Sequence, residues 1–298
     1  TDTLYLSPVA KCTGRKGVFM AAKMTVPRIR NHKVSEGADS LVMLTAYDAP
    51  TARMVDSAGA DIILVGDSVA MVVLGYEDTL QVTIDDIAYH TAAVTRANPS
   101  AFVIADMPWM SYHVSKEETV INAAKLIRAG ADAVKLEGGR RRLPMIEALV
   151  DAEIPVMGHL GLTPQSVNVM GGYKVQAKNT KAALDLVSAA KSLVHAGCFS
   201  VVLEGMAEPL AAEITSRISI PTIGIGASPN CDGQVLVTED MLGLTNIAPK
   251  FVKKYADLEG LIKKAAHEYA GEVRNREFPG KEHTYAMNPQ IVRKGEED

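Results

Sequence analysis

Seven side chains able to do polar chemistry stand where apolar runs stop. Asp67 and Ser68 follow IILVG, Asp106 follows FVIA, and Lys135 and Glu137 close AVKLE. His159 follows VMG, and Glu204 follows SVVL. The set holds four carboxylates, one ammonium, one imidazole and one hydroxyl. Carboxylates without a Cys/His cluster suit a hard ion such as Mg2+, which takes oxygen ligands and retains waters. Zinc would want more imidazole or thiolate than His159 supplies. The chain has no Gly-x-Ser-x-Gly elbow, and no His–Asp partner for Ser68 is readable, which disfavours acyl transfer. A metal chelated by a 2-oxo acid would draw charge from its carbonyl and stabilise an enolate, and a carboxylate off the metal could then act as base. The residues by themselves point to metal-assisted proton abstraction beside a carbonyl.

Each residue also has a plain structural reading. An Asp or Ser after a strand can simply cap the next helix. Asp106, two residues before Pro108, could be a turn acid, Glu137 could open a solvated loop, and His159 could be a satisfied wall histidine. Lys135 resists such a reading. It stands inside an apolar strand, two residues before Glu137, so the two share a side, and a charge there is costly unless paired. With Val134 and Leu136 toward the helices, Lys135 and Glu137 face inward. They form either a structural ion pair or a substrate clamp.

The elements that must position these groups alternate. Apolar, β-branched runs are expected as strands at 41–46, 61–66, 101–107, 133–137, 154–159, 200–204 and 222–226, with a weaker eighth at 241–245. They are apolar throughout rather than alternating, as for parallel strands covered on both faces. Between them lie helical patterns. Ser115-Lys-Glu-Glu118 has capping-box spacing and places a helix start at Ser115. Val120, Ile121, Ala124 and Ile127 follow at helical spacing as its sheet-facing side. Thr83 is read as the cap of the preceding helix, with Ile84, Ile87, Ala88 and Thr91 on one side. Leu186, Val187, Ala190, Leu193 and Val194 form another stripe, and Leu258, Leu261, Ile262, Ala265 and Tyr269 a last one. Gly59, Gly130 and Gly197 each follow a helical pattern and lead into a strand, where a left-handed cap is wanted. Eight such units without a linker predict an α/β fold of the (β/α)8 TIM-barrel type, whose active sites lie at the C-terminal strand ends. A dinucleotide-binding sheet would carry Gly-x-Gly-x-x-Gly after its first strand, and none is there.

Composition narrows the classes. A net charge of −4 argues against a general nucleic-acid binder. No window approaches the roughly 18 apolar residues of a membrane span. Cys12, Cys198 and Cys231 lack metal-ligand spacing and read as free thiols. From Thr3 to Lys33 the chain has seven Lys and Arg and no acid. That stretch fits a transit peptide or an arm lying on another subunit; we read residues 1–22 as a loosely ordered extension of a cytoplasmic protein, 23–285 as one catalytic barrel and 286–298 as a tail. Arg140–Arg142 is read as a solvated helix start.

The segments MLTAYDA (43–49), LVGDS (64–68), LQVTIDDIAYHTAAV (80–94), VKLEGG (134–139), GHLGLTPQSVN (158–168), GGYKVQ (171–176), IPTIGIGA (220–227) and DGQVLV (232–237) closely resemble the ketopantoate hydroxymethyltransferase family over about 23–285. The resemblance implies a Mg2+-dependent barrel of the phosphoenolpyruvate/pyruvate superfamily. Such a barrel transfers a one-carbon unit from 5,10-methylenetetrahydrofolate to 3-methyl-2-oxobutanoate, through a Mg-stabilised enolate, in pantothenate and coenzyme A biosynthesis. It further implies Asp67 and Asp106 as metal ligands, with Glu137 near the ion and Glu204 as catalytic base. Ser68 and Lys135 would hold the oxo acid beside Asp67 and Asp106, with His159 lining its pocket. The implied partners are small molecules and further copies in a large homo-oligomer, a decamer. The sequence departs from the family pattern at Gly205-Met206-Ala207 and at Ser228–Cys231, on the side where folate is expected. The alternatives are a superfamily relative acting on another 2-oxo acid, of carbon–carbon lyase or phosphoenolpyruvate mutase type, and a catalytically retired barrel.

Overall fold

The computed structural model describes residues 23–286 apart from 178 and 246–248. The expected tail, most of which is 287–298, and the extension at 1–22 therefore lie largely outside the described residues, as does Cys12. Eight parallel strands close into a barrel in sequence order. They are β1 Leu41–Thr45, β2 Ile62–Val65, β3 Phe102–Asp106, β4 Ala133–Glu137, β5 Val156–Gly161, β6 Ser200–Glu204, β7 Thr222–Ile225 and β8 Gly233–Leu236. The helices around them are α1 Val26–Arg30, α2 Ala49–Ser57, α3 Val69–Val72, α4 Ile84–Thr95, α5 Lys116–Arg128 and α6 Leu143–Asp151. There follow α7 Val167–Met170, α8 Thr180–His195, α9 Glu208–Arg217, α10 Thr238–Met241 and α11 Leu258–Asn275.

Seven strands fall on the apolar runs that predict them. The eighth does not: Met241 ends α10, and the closing strand is β8, eight residues earlier, paired with β1 and β7. Only Val235 and Leu236 are apolar in β8, and Gln234 is exposed, so it lacks the run that marks its siblings.

Alternation along each strand sorts side chains into two layers. Ile62, Leu64, Phe102, Ile104, Ala133, Met157, Phe199, Val202 and Ile223 fill the lumen. Ile63, Val65, Val103, Ala105, Val134, Leu136 and Val156 pack outward against the helices. Val134 and Leu136 thus face the helices, as the sequence predicts. On α5 the buried side is Thr119, Ala123 and Leu126, flanked by Val120 and Ile127, while Ile121 is exposed. The expected stripe is therefore rotated toward Thr119, because a threonine that bonds its own helix (hydroxyl to the Ser115 carbonyl, 2.6 Å) buries without loss. Helix starts agree: the Ser115 hydroxyl accepts from the Glu118 N–H, and Thr83 closes a full capping box with Asp86.

The recurring glycine closes one repeated turn. Gly59, Gly130 and Gly197 all have φ near +100°, and each N–H reaches back three residues while the next N–H reaches back five. That double bond is the Schellman end of α2, α5 and α8. Glu153 makes the same turn after α6 at φ +61°, without a glycine to advertise it.

The end of the barrel where the strands begin is shut. Met24 and Ile29 of the first segment join the lumen core. Lys33 lies there, its Nζ 2.7 Å from Asp232 Oδ2, and it donates also to the carbonyls of Thr215 and Ile220. Asp232 in turn accepts from the N–H groups of Val34 and Thr222.

Candidate active site

All seven residues singled out by type lie at the opposite end, where the strands finish. Register builds the cluster directly: Asp106 pairs with Lys135, Glu137 with His159, and Gly161 with Glu204 on neighbouring strands. The capping reading of Ser68 does not describe it. It occupies the cap position just before α3 but makes no capping bond, and its hydroxyl instead lies 2.8 Å from the Tyr47 hydroxyl. Asp106 is no surface turn acid either, being buried with its Oδ2 accepting the Asp67 N–H.

Asp67, Asp106, Lys135, Glu137 and His159 are all buried. Lys135 Nζ contacts Asp106 Oδ1 at 2.6 Å. Burial alone would lower the Lys135 pKa, but Asp106, Glu137 and Asp67 outweigh it and hold the ammonium above its ordinary range. The acids suffer the converse. Burial and the charge of Asp106 push Asp67 up to about 7, against the relief given by Lys135 and Gln165. Glu137 is driven well above the carboxylate range by burial and by Asp67. One ammonium is too little charge for three buried carboxylates.

His159 joins two parts of the mouth. Its Nδ1 faces Lys135 Nζ at 3.4 Å, and Lys135 has only protons to offer, so Nδ1 is the acceptor and the ring proton sits on Nε2. Nε2 lies 3.2 Å from Glu204 Oε2, close but off the line of a good hydrogen bond. Burial and Lys135 lower the His159 pKa, which keeps the ring neutral. Glu204 is less enclosed than the five buried residues, with its side chain 15% exposed. Its strand end is set by backbone: Leu162 N–H bonds the Glu204 carbonyl, and a Cβ on Gly161 (φ +99°) would come within 2.1 Å of that oxygen.

Three residues of this site escape a reading by strand ends. Gln165, in the loop after β5, donates from Nε2 to Asp67 Oδ2 and from its backbone N–H to Glu137 Oε2. Tyr112 donates its hydroxyl proton to Gln165 Oε1. Tyr47 holds Ser68. The signal for Tyr47 was at hand, since β1 also ends in a polar group, Thr45-Ala-Tyr47-Asp48. Arg142 is not simply solvated: its guanidinium lies 5.5 Å from the centre of the Tyr112 ring.

Among the described residues no group of three or more His, Cys, Asp or Glu side chains stands ready at ion-holding spacing. Mg2+ asks for less, being held typically by one or two carboxylates with waters and substrate oxygens. Asp67 and Asp106 supply such a pair. An oxygen-only donor set with uncompensated negative charge fits a hard divalent cation and gives a soft one nothing to prefer.

The fold and the position of this site define a class, the barrels that act at their C-terminal strand ends. Barrels of the phosphoenolpyruvate mutase/isocitrate lyase type superpose on the chain at low identity. A 2,3-dimethylmalate lyase structure has a TM-score of 0.54 at 18% identity, over 90% of this chain and 93% of its own. A phosphoenolpyruvate phosphomutase from Streptomyces platensis subsp. rosaceus has 0.57 at 12%, over 92% and 96%. These likenesses establish the fold alone. Sequence goes further: residues 23–281 match the ketopantoate hydroxymethyltransferase family, and the chain belongs to it. A protein of Nitratidesulfovibrio vulgaris (strain DP4) named 3-methyl-2-oxobutanoate hydroxymethyltransferase is 54% identical over 89% of this chain and 86% of its own. One of the same name from Thermoanaerobacter sp. (strain X514) is 53% identical over 90% and 98%. No described helix is long and apolar enough to cross a membrane.

Proposed function

We propose that the chain transfers a hydroxymethyl unit from 5,10-methylenetetrahydrofolate to 3-methyl-2-oxobutanoate, forming 2-dehydropantoate for pantothenate and coenzyme A synthesis. Family membership supports the transfer. The observation that carries the mechanism is the division of the mouth. Three carboxylates crowd around Lys135, while Glu204 is more exposed and lies against His159.

In this reading Asp67 and Asp106 hold Mg2+, with Glu137 close by through water. When bound, the ion would polarise the 2-oxo group and acidify the proton at C3. Lys135 balances the substrate carboxylate, and the Ser68 hydroxyl, fixed by Tyr47, hydrogen-bonds the oxo acid. His159 lines the pocket, and its Nε2–H side orients Glu204. Glu204 takes the C3 proton; the enolate carbon bonds to the folate methylene, both of its C–N bonds break, water supplies the hydroxyl oxygen of the product, and tetrahydrofolate leaves with one proton from water and the one Glu204 had taken. We place the reaction in the cytoplasm and in a large homo-oligomer, a decamer. Exposed Leu261, Ile262 and Tyr269 on α11 give another copy something to cover, and light scattering of the full chain tests that assembly.

The mechanism is tested by deuterium exchange at C3 of 3-methyl-2-oxobutanoate, followed by NMR without folate. Exchange should require Mg2+ in the native protein. Glu204→Gln should slow it about 1,000-fold or more with divalent binding nearly intact. Metal-independent exchange, or normal exchange in that variant, defeats the assignment.

A further inference from the structure

Gln165 is buried and spends its whole side-chain amide and its backbone N–H on the site's framework. Its Nε2 donates to Asp67 Oδ2 at 2.9 Å and to the Met107 carbonyl at 3.0 Å. Its backbone N–H donates to Glu137 Oε2 at 3.0 Å. Its Oε1 accepts from the Tyr112 hydroxyl at 2.6 Å, and that hydroxyl oxygen accepts the Glu137 N–H at 3.2 Å. One residue of the loop after β5 therefore fastens side chains or backbone from the ends of β2, β3 and β4.

The network also settles which way the amide points. Turned over, Oε1 would face a carboxylate oxygen and a carbonyl, two acceptors, while Nε2 would meet the Tyr112 hydroxyl. The tyrosine is thus the latch of the amide, and the amide the latch of Asp67. Packing alone would be served by any residue of that volume; three directed side-chain bonds, to Asp67, to the Met107 carbonyl and from Tyr112, need a donor pair and an acceptor in fixed places.

We infer that Gln165, latched by Tyr112, is the positioning residue that fixes Asp67 and Glu137 together in the orientation that receives the divalent ion. The inference rests on the reading of Asp67 as a metal ligand. Outer hydrogen-bond partners of metal ligands are worth about 10–100-fold in metal affinity or activity.

The test titrates Mn2+ into the free protein, without substrates, by electron paramagnetic resonance. Gln165→Met, similar in volume and keeping the backbone N–H but without the side-chain bonds, should weaken Mn2+ binding by about 10–100-fold. Raising Mg2+ should restore most of its C3 exchange rate, as it would not for a misfolded pocket. Tyr112→Phe should weaken binding by about 3–10-fold, and adding it to Gln165→Met should cost little more, because the two act as one unit. Mn2+ affinity within two-fold of native in Gln165→Met, or exchange that excess Mg2+ does not restore, overturns the inference. Should Gln165→Met not fold, as judged by near-UV circular dichroism, Tyr112→Phe decides, and unchanged affinity there overturns it. If the native protein itself takes no Mn2+, the metal reading falls and takes this inference with it. Tight native binding that both variants share removes this inference alone.

Discussion

The two ends of the barrel each bury a lysine against an aspartate, and they treat it differently. At the closed end Lys33 and Asp232 are one to one, and the carbonyls and N–H groups around them use up the remaining hydrogen-bonding capacity. At the open end Lys135 meets Asp106 with Asp67 and Glu137 crowding in, and two of those acids are forced toward their protonated forms. A balanced buried pair is architecture. An unbalanced one holds free energy that binding a cation can release.

The comparison breaks most visibly at the closed end. Asp232→Ala leaves Lys33 buried without its counter-charge and should cost about 3–5 kcal/mol of stability in urea unfolding. The fraction that stays folded should exchange substrate deuterium at the native rate. Exchange that falls in step with the charge rather than with the folded fraction would erase the distinction between the ends.

Asp67→Asn probes the other side. It should cut Mg2+-dependent exchange about 100-fold or more, yet leave the metal-free protein no less stable than native at pH 8, because burial and Asp106 already work against this charge. A large fall in its urea midpoint would mean that the open end, too, is built for stability.

A smaller effect is expected at Glu239, in α10 just after β8. Burial, helped by Asp240 and Asp48, pushes its carboxyl up to about 7. The fold therefore keeps a proton that the unfolded chain loses near 4.5, and this contribution to stability is lost as pH rises through about 7. Glu239→Gln should then stabilise the protein by about 1–3 kcal/mol at pH 8 and hardly at all at pH 4.5. Equal gains at both pH values would show that the charge is not what costs stability there.

Much of the fold could be read because a parallel strand covered on both faces leaves an unbroken apolar run, and because period two tells where Lys135 and Glu137 must point. β8 could not: it is short, carries an exposed Gln234 that bonds the Ser228 carbonyl, and owes its place to closing the ring rather than to its own apolarity. Missing β8 also hid Glu239, which follows it. The stripe on α5 was offset because hydrophobicity does not say that Thr119 will bury and Ile121 will not. At the site, the strand-end residues were legible and the loop residues were not. Gln165 meets Asp67 across 98 positions of chain and Tyr112 across 53, and no local periodicity records such an encounter.

Gly161 carries one more consequence. The carbonyl of Glu204 occupies the space where any other residue at 161 would put its first side-chain carbon. The address of the proposed base is thus written in main chain, as an omission on the neighbouring strand. Such an address survives repacking of the lumen and drift of the surrounding loops, and it can be lost through a single added methyl group two positions beyond His159.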